Sequence, residues 1–195
     1  MRVSDTKKKP LHSSTQEAGP LMLQAFAWDM APDASHWRYL AQHAQSIADL
    51  GVTIIWLPPA YKGNYGINDV GYGVYDLYDL GEFDQKGTIP TKYGTKDEYL
   101  AAIDALHEAG IAVCADIVLN HRMGADATEM VRATPINPHD RHQVIGEPEM
   151  IEAWTRFTFP GRGGAYSDFT WDWTCFHGID WDQATQRKGL WLFEG

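Results

Sequence analysis

One stretch constrains this chain more than any other: Ile111 to His121, IAVCADIVLNH. Gly110 sets its start, and Ile111, Ala112, Val113, Cys114 and Ala115 form a short apolar run. Such a run reads as a strand covered on both faces, of the kind that parallel sheets bury between helices. Period-two alternation puts Asp116, Val118 and Asn120 on one face, with His121 at the exit. A carboxylate, an amide and an imidazole where a parallel strand ends is the placement α/β folds use for ligand sites. The residues alone leave a second reading open, in which Asp116 is a hydrogen-bonded core acid and His121 a loop residue.

The residues upstream supply the rest of a parallel unit. Leu21 to Trp28, LMLQAFAW, is an apolar run between Gly19-Pro20 and the Asp29 to Ser35 turn, and reads as a buried strand ending in Trp28. Ser35 is a good N-cap for a helix from His36 to Leu50, in which Trp37, Leu40, Ala41, Ala44, Ile47 and Ala48 recur at helical spacing before Gly51. Val52 to Pro59 is a second buried strand, stopped by a proline pair. Strand, helix, strand in this order is a right-handed βαβ unit. A long loop, Ala60 to Pro90, is rich in Gly, Tyr and Asp, and loops of this length within a domain are usually functional. Thr95 and Glu98 make a capping box for a helix over Tyr99, Ala102, Ile103 and Leu106, ended by Gly110.

After His121 the texture changes. Residues 122–195 show no sustained period and carry Pro135, Pro138, Pro148, Pro160, a GRGG turn and the aromatics Tyr166, Phe169, Trp171, Trp173, Phe176 and Trp181. Residues 151–159 read as a strand or a short helix, and the whole as an irregular, β-leaning subdomain. The organisation expected is therefore a leader over 1–19, a β/α part over 20–121 and an inserted part over 122–195.

Composition narrows the partners. A net charge of −10 disfavours nucleic acid or an anionic membrane. Eight Trp and nine Tyr in 195 residues are as suited to stacking on sugar faces as to filling a core. Cys114 and Cys175 form no metal spacing and no disulfide framework. No apolar run approaches a membrane span, and the polar N-terminus lacks the apolar region of a secretory signal. A soluble, cytoplasmic protein with a flexible leader is the expectation.

The segments GVTIIWLPPAYKG, DVGYGVYDLYDLGEFDQKGTIPTKYGTKDE and DIVLNHRMGADATE resemble the α-amylase family of glycoside hydrolases. The last of them holds an Asp followed four residues on by Asn-His (Asp116, Asn120, His121), similar to the family's first short signature. FPGRGGAYSDFTWDW resembles the inserted calcium-binding subdomain of bacterial liquefying amylases and their intracellular relatives. The resemblance implies an α/β fold: the first three β/α units of a TIM (β/α)8 barrel, which needs about 250 residues in full, followed by an irregular β-rich subdomain. It implies that Tyr72 stacks on the sugar before the scissile bond, that His121 donates a hydrogen bond to that sugar, and that Trp28 lines the cleft. Asp116 resembles a supporting acid that orients an arginine beside the nucleophile, and Asn120 a side-chain ligand of a structural calcium. Calcium takes six to eight oxygens, so one amide does not hold it alone. Where the liquefying enzymes would carry an aspartate this chain has His177, a poor ligand for a hard cation. An extra metal cluster is therefore not expected, although Asp180 and Asp182 lie nearby.

A retaining glycosidase needs two carboxyl groups about 5–5.5 Å apart. No Gly-Phe-Arg-x-Asp-like stretch occurs, and Asp168, Asp172, Asp180 and Asp182 lack that context. The expectation is a chain with sugar-binding and scaffold residues but without the nucleophile Asp and acid Glu, and so inactive by itself. Three readings follow. The first is an N-terminal fragment of an α-amylase acting on α-1,4-glucosidic bonds of starch, glycogen or maltodextrin. The second is a non-catalytic protein binding α-glucan polysaccharide or maltooligosaccharide. The third is another activity of the family, an isomerase or transglycosidase. The apolar ending WLFEG and an open parallel edge favour the first.

Overall fold

A computed structural model of the chain describes residues 19–195. Of the leader expected over 1–19, all but Gly19 lies outside the described residues. In chain order the elements are β1 (Met22–Gln24), α1 (His36–Asp49), β2 (Ile54–Leu57), β3 (Lys62–Gly63), β4 (Val74–Asp76), α2 (Lys96–Glu108) and β5 (Ala112–Ala115). There follow β6 (Ala127–Asn137), β7 (Asp140–Val144), β8 (Glu149–Arg156), β9 (Gly178–Asp182) and β10 (Arg187–Phe193).

β1, β2 and β5 form a three-stranded parallel sheet in that order, with Met22 opposite Ile54 and Ile54 opposite Ala112. Both helices pack on one face of it. Trp37, Leu40 and Ala44 of α1 meet Ile55 and Leu57 of β2 and Tyr99, Ala102 and Leu106 of α2 in one core. Alternation sends Ile55 and Leu57 into that core and leaves Ile54, Trp56, Ala112 and Cys114 on the other face. That second face is open among the described residues, so β1 and β5 are not the doubly covered strands expected: Leu21 and Met22 are exposed, and so is Cys114. Strand β5 also ends at Ala115, so residues 116–121 follow no sheet alternation.

The helices start by different means. Thr95 Oγ1 accepts from the Glu98 N–H while Glu98 Oε2 accepts from the Thr95 N–H, the capping box that was expected. Ser35 occupies the N-cap of α1 but makes no cap bond; its hydroxyl donates to Asp33 Oδ1 at 2.7 Å instead.

The long loop is pinned by buried charge. Lys62 Nζ, fully buried, donates to the carbonyls of Phe83, Thr88 and Ile89 and lies 3.4 Å from Asp79. Gln85 bridges Asp76 and Asp79, and Arg162 donates to Asp76 at 2.8 Å. Each of the charged groups is out of water, and each has a partner, which is the condition for burying charge.

Residues beyond 122 are more regular than the expected irregular subdomain. β6 to β10 make a five-stranded antiparallel sheet, β8 and β10 both pairing with β6. The segment left open between strand and helix is strand β8. The sheet curls until β9 meets β8, where Gln183 N donates to Glu152 O and Glu152 N to Asp182 Oδ1. Val131, Ala133, Ile151, Ala153 and Trp191 fill its interior.

Candidate functional site

Four polar or aromatic side chains converge where the parallel strands end. Asp116 follows β5, and its N–H donates to Leu57 O at the end of β2. Its Oδ2 accepts from the Tyr72 hydroxyl at 2.8 Å and from the Trp56 indole N–H at 3.2 Å. The Tyr72 ring lies parallel to Trp28, with centroids 6.0 Å apart and planes within 6°. His121 Nε2 sits 2.8 Å from the Tyr72 carbonyl oxygen. The parallel strands, the loop between β3 and β4 and the turn after β5 therefore all contribute to one constellation.

The loop holds Tyr72 by a carboxylate that the sequence analysis did not single out. Asp69, buried, accepts the N–H groups of Gly71 at 2.8 Å, Gly73 at 3.1 Å and Tyr65 at 3.1 Å. Both neighbours of Tyr72 are thus tied to one side chain. Gly71 has φ +97° and lies against Pro59, where a Cβ would come within 2.6 Å, so no larger residue fits. The signal was present as Asp-x-Gly-x-Gly, an Asx-type turn pattern.

Electrostatics fixes the protonation of Tyr72. Burial, followed by the hydrogen bond to Asp116 and the charge of that carboxylate, pushes the Tyr72 phenol up to about 12. Tyr72 is therefore a neutral donor to Asp116 across the physiological range. A carbonyl oxygen only accepts, so His121 carries its proton on Nε2 and, when neutral, presents Nδ1 as an acceptor.

Each expected site residue can now be placed. Tyr72 and Asp116 are half-buried, and Trp28 and His121 are exposed at the rim; these four come together. Asn120 is exposed and stands apart, and no group of three or more His, Cys, Asp or Glu able to hold a metal occurs among the described residues. Asp182 is buried, with its oxygens accepting from Glu152, Ala184 and Thr185, while His177 accepts a backbone bond from Phe193.

On the other side of Asp116 a cleft of about 800 Å³ opens between the parallel unit and the second sheet, lined by Ala115, Tyr61, Arg122, Phe169 and Trp171 among others. The other acid on its wall, Asp76, is committed to Arg162. Asp116 faces no second free carboxylate there.

A family model described as the α-amylase catalytic domain matches residues 25–173. The chain is 52% identical over 174 residues to an alpha-amylase of Geobacillus stearothermophilus, covering 89% of this chain and 32% of that protein. It is 51% identical over 171 residues to the cytoplasmic alpha-amylase of Escherichia coli (strain K12), covering 88% and 34%. Among solved structures, a truncated alternansucrase from Leuconostoc mesenteroides matches with a TM-score of 0.61 and 29% identity, over 70% of this chain and 13% of that one. The chain spans about a third of the length of the curated relatives it matches.

Proposed function

The chain belongs to the α-amylase catalytic-domain family, and from that premise we propose that it supplies the N-terminal part of an α-amylase. The reaction is endo-hydrolysis of α-1,4-glucosidic bonds in starch, glycogen or maltodextrin by a retaining mechanism. In this reading residues 20–121 are the first three β/α units of a (β/α)8 barrel and residues 122–195 the subdomain inserted after the third. The open face of the parallel sheet is then the inner wall of the barrel, which explains why Trp56 and Asp116 lie on it rather than towards the helices.

The observation that carries the substrate reading is the Trp28–Tyr72 pair, two parallel rings of which Tyr72 is hydrogen-bonded to Asp116 beyond the end of β5. Flat aromatic faces stack on the C–H faces of a glucose ring. His121 offers an acceptor to a sugar hydroxyl, and Asp116 keeps an oxygen for a cationic partner. Asp76 being paired with Arg162, the cleft offers no pair of free carboxyls among the described residues with which to open a glycosidic bond, and turnover in this reading belongs to the longer protein. Calcium belongs there too, with Asn120 as one donor of a set that these residues do not complete. Among the described residues no helix is long and apolar enough to cross a membrane. Likeness to a cytoplasmic amylase supports a cytoplasmic location.

Purified chain 1–195 is expected to bind maltoheptaose and to release no reducing sugar from soluble starch. Replacing Tyr72 by Ala should weaken binding about tenfold, the worth of one aromatic stack. Turnover by a preparation free of host amylase would refute the division of labour, and unchanged affinity in Y72A the site.

A further inference from the structure

Resting on the sugar-binding reading of Trp28 and Tyr72, we propose that Trp56 is a positioning residue for that site: its indole N–H locks the Asp116 carboxylate in the rotamer that holds the Tyr72 ring parallel to Trp28. Nothing in the chain's likeness to other proteins assigns it this part. The case rests on where two hydrogen bonds end. Trp56 Nε1 and the Tyr72 hydroxyl donate to the same atom, Asp116 Oδ2, at 3.2 and 2.8 Å. A carboxylate held by one donor still turns about its side-chain bonds; two donors arriving from different elements fix it.

Strand β2 grips Asp116 twice. The carbonyl of Leu57 accepts the Asp116 N–H, and one residue earlier Trp56 reaches the side chain. Trp56 is itself braced. Phe26 meets its ring edge-on, with centroids 5.4 Å apart and planes at 89°, and the Phe26 carbonyl accepts from Gln24 Nε2 at 3.1 Å. A line of contacts thus runs from β1 through β2 to the aromatic face on the loop. An indole that only filled space would need no N–H aimed at the acid that anchors Tyr72.

Trp56→Phe removes the donor and keeps an aromatic ring against Phe26. Freed of its second tether, Asp116 turns from Tyr72, and the phenol, pushed up to about 12 in the wild-type chain, should lose the part of that shift that the Asp116 hydrogen bond supplies while keeping the larger part due to burial. This is followed by NMR of tyrosine-labelled chain 1–195, assigned with Tyr72→Phe. Maltoheptaose binding should weaken about tenfold, as for loss of one aromatic contact. Trp56→His, which returns a ring N–H, should recover part of both effects. A phenol midpoint unmoved from that of the wild-type chain in the Phe variant overturns the proposal. If the wild-type chain does not bind maltoheptaose, the sugar-binding reading falls, and the phenol midpoint alone decides the clamp. If the Phe variant does not fold, Asp116→Asn serves: the Trp56 indole N–H resonance should shift and exchange faster, and an unmoved resonance overturns the proposal.

Discussion

The parallel sheet and the antiparallel sheet of this chain build their cores differently. In the first, strands of three or four residues carry little, and the core comes from helices α1 and α2 laid on one face. Its other face carries Trp56 and Asp116. In the second, strands of up to eleven residues curl round Val131, Ala133, Ile151, Ala153 and Trp191 with no helix. One region leaves its polar face free for chemistry; the other closes on itself and braces the first. The brace combines an apolar cluster, in which Tyr75 of β4 packs with Phe157 and Phe159, with a buried ion pair. Arg162, from the turn after β8, donates to Asp76 at the end of β4, and both are buried.

Breaking that brace should give the largest effect. Arg162→Met leaves Asp76 buried with only Gln85 as a side-chain donor, and stranding one partner of a buried pair costs about 3–5 kcal/mol. Asp76→Asn in the same chain should return part of the loss by removing the stranded charge. Urea denaturation of the two variants measures both. A loss below about 1 kcal/mol, the level of an exposed pair, would show that the apolar cluster of Tyr75, Phe157 and Phe159 holds the two regions together without the ion pair.

An intermediate effect should separate the regions by pH. His36 is buried at the start of α1 between Trp37 and Tyr93, and its Nε2 has no hydrogen-bond partner. Burial lowers its affinity for a proton, outweighing the Ala25 carbonyl and the charge of Asp33, which favour the imidazolium. The helix N-terminus disfavours a cation there as well. The unfolded chain therefore binds a proton below about 6.5 that the folded chain refuses, and stability falls as the pH drops through that value. Amide exchange in α1 should quicken on acidification ahead of β6 and β8, and His36→Gln should flatten the dependence. Equal sensitivity in the Gln variant would move the origin elsewhere.

The same contrast decides what could be read from the sequence. The parallel unit was legible because Trp37, Leu40 and Ala44 repeat at helical spacing and glycines mark where its helices stop. The site was legible as far as Asp116, Tyr72, Trp28 and His121, which the structure does bring together. The antiparallel sheet was not. In β8 the inward positions are Ile151, Ala153 and Thr155, while the outward ones include Met150 and Trp154, which are exposed. Small or polar residues inside and large apolar ones outside cancel the alternation by which strands are recognised. Trp56 escaped notice because an indole in an apolar strand looks like core until its N–H is seen to end on Asp116. The exposed strands β1 and β5 misled in the other direction: an apolar run reports a capacity for burial, and burial needs a second covering layer.

The smallest effect concerns the two helix starts, which look alike in sequence. Thr95 and Ser35 both occupy N-cap positions, but only Thr95 spends its side chain on the helix. Thr95→Ala should lower stability by about 1 kcal/mol, since it orphans the Glu98 N–H of the first turn while leaving the Thr95 N–H bonded to Glu98 Oε2. Ser35→Ala removes a bond to Asp33 at a rim that water already reaches, and should cost no more than about 0.5 kcal/mol. The difference separates a residue's type from its use. Equal losses at the two positions would mean that Ser35 turns to cap α1 in solution. The turn before α1, which follows the loop carrying Trp28, would then be set by the helix rather than by Asp33.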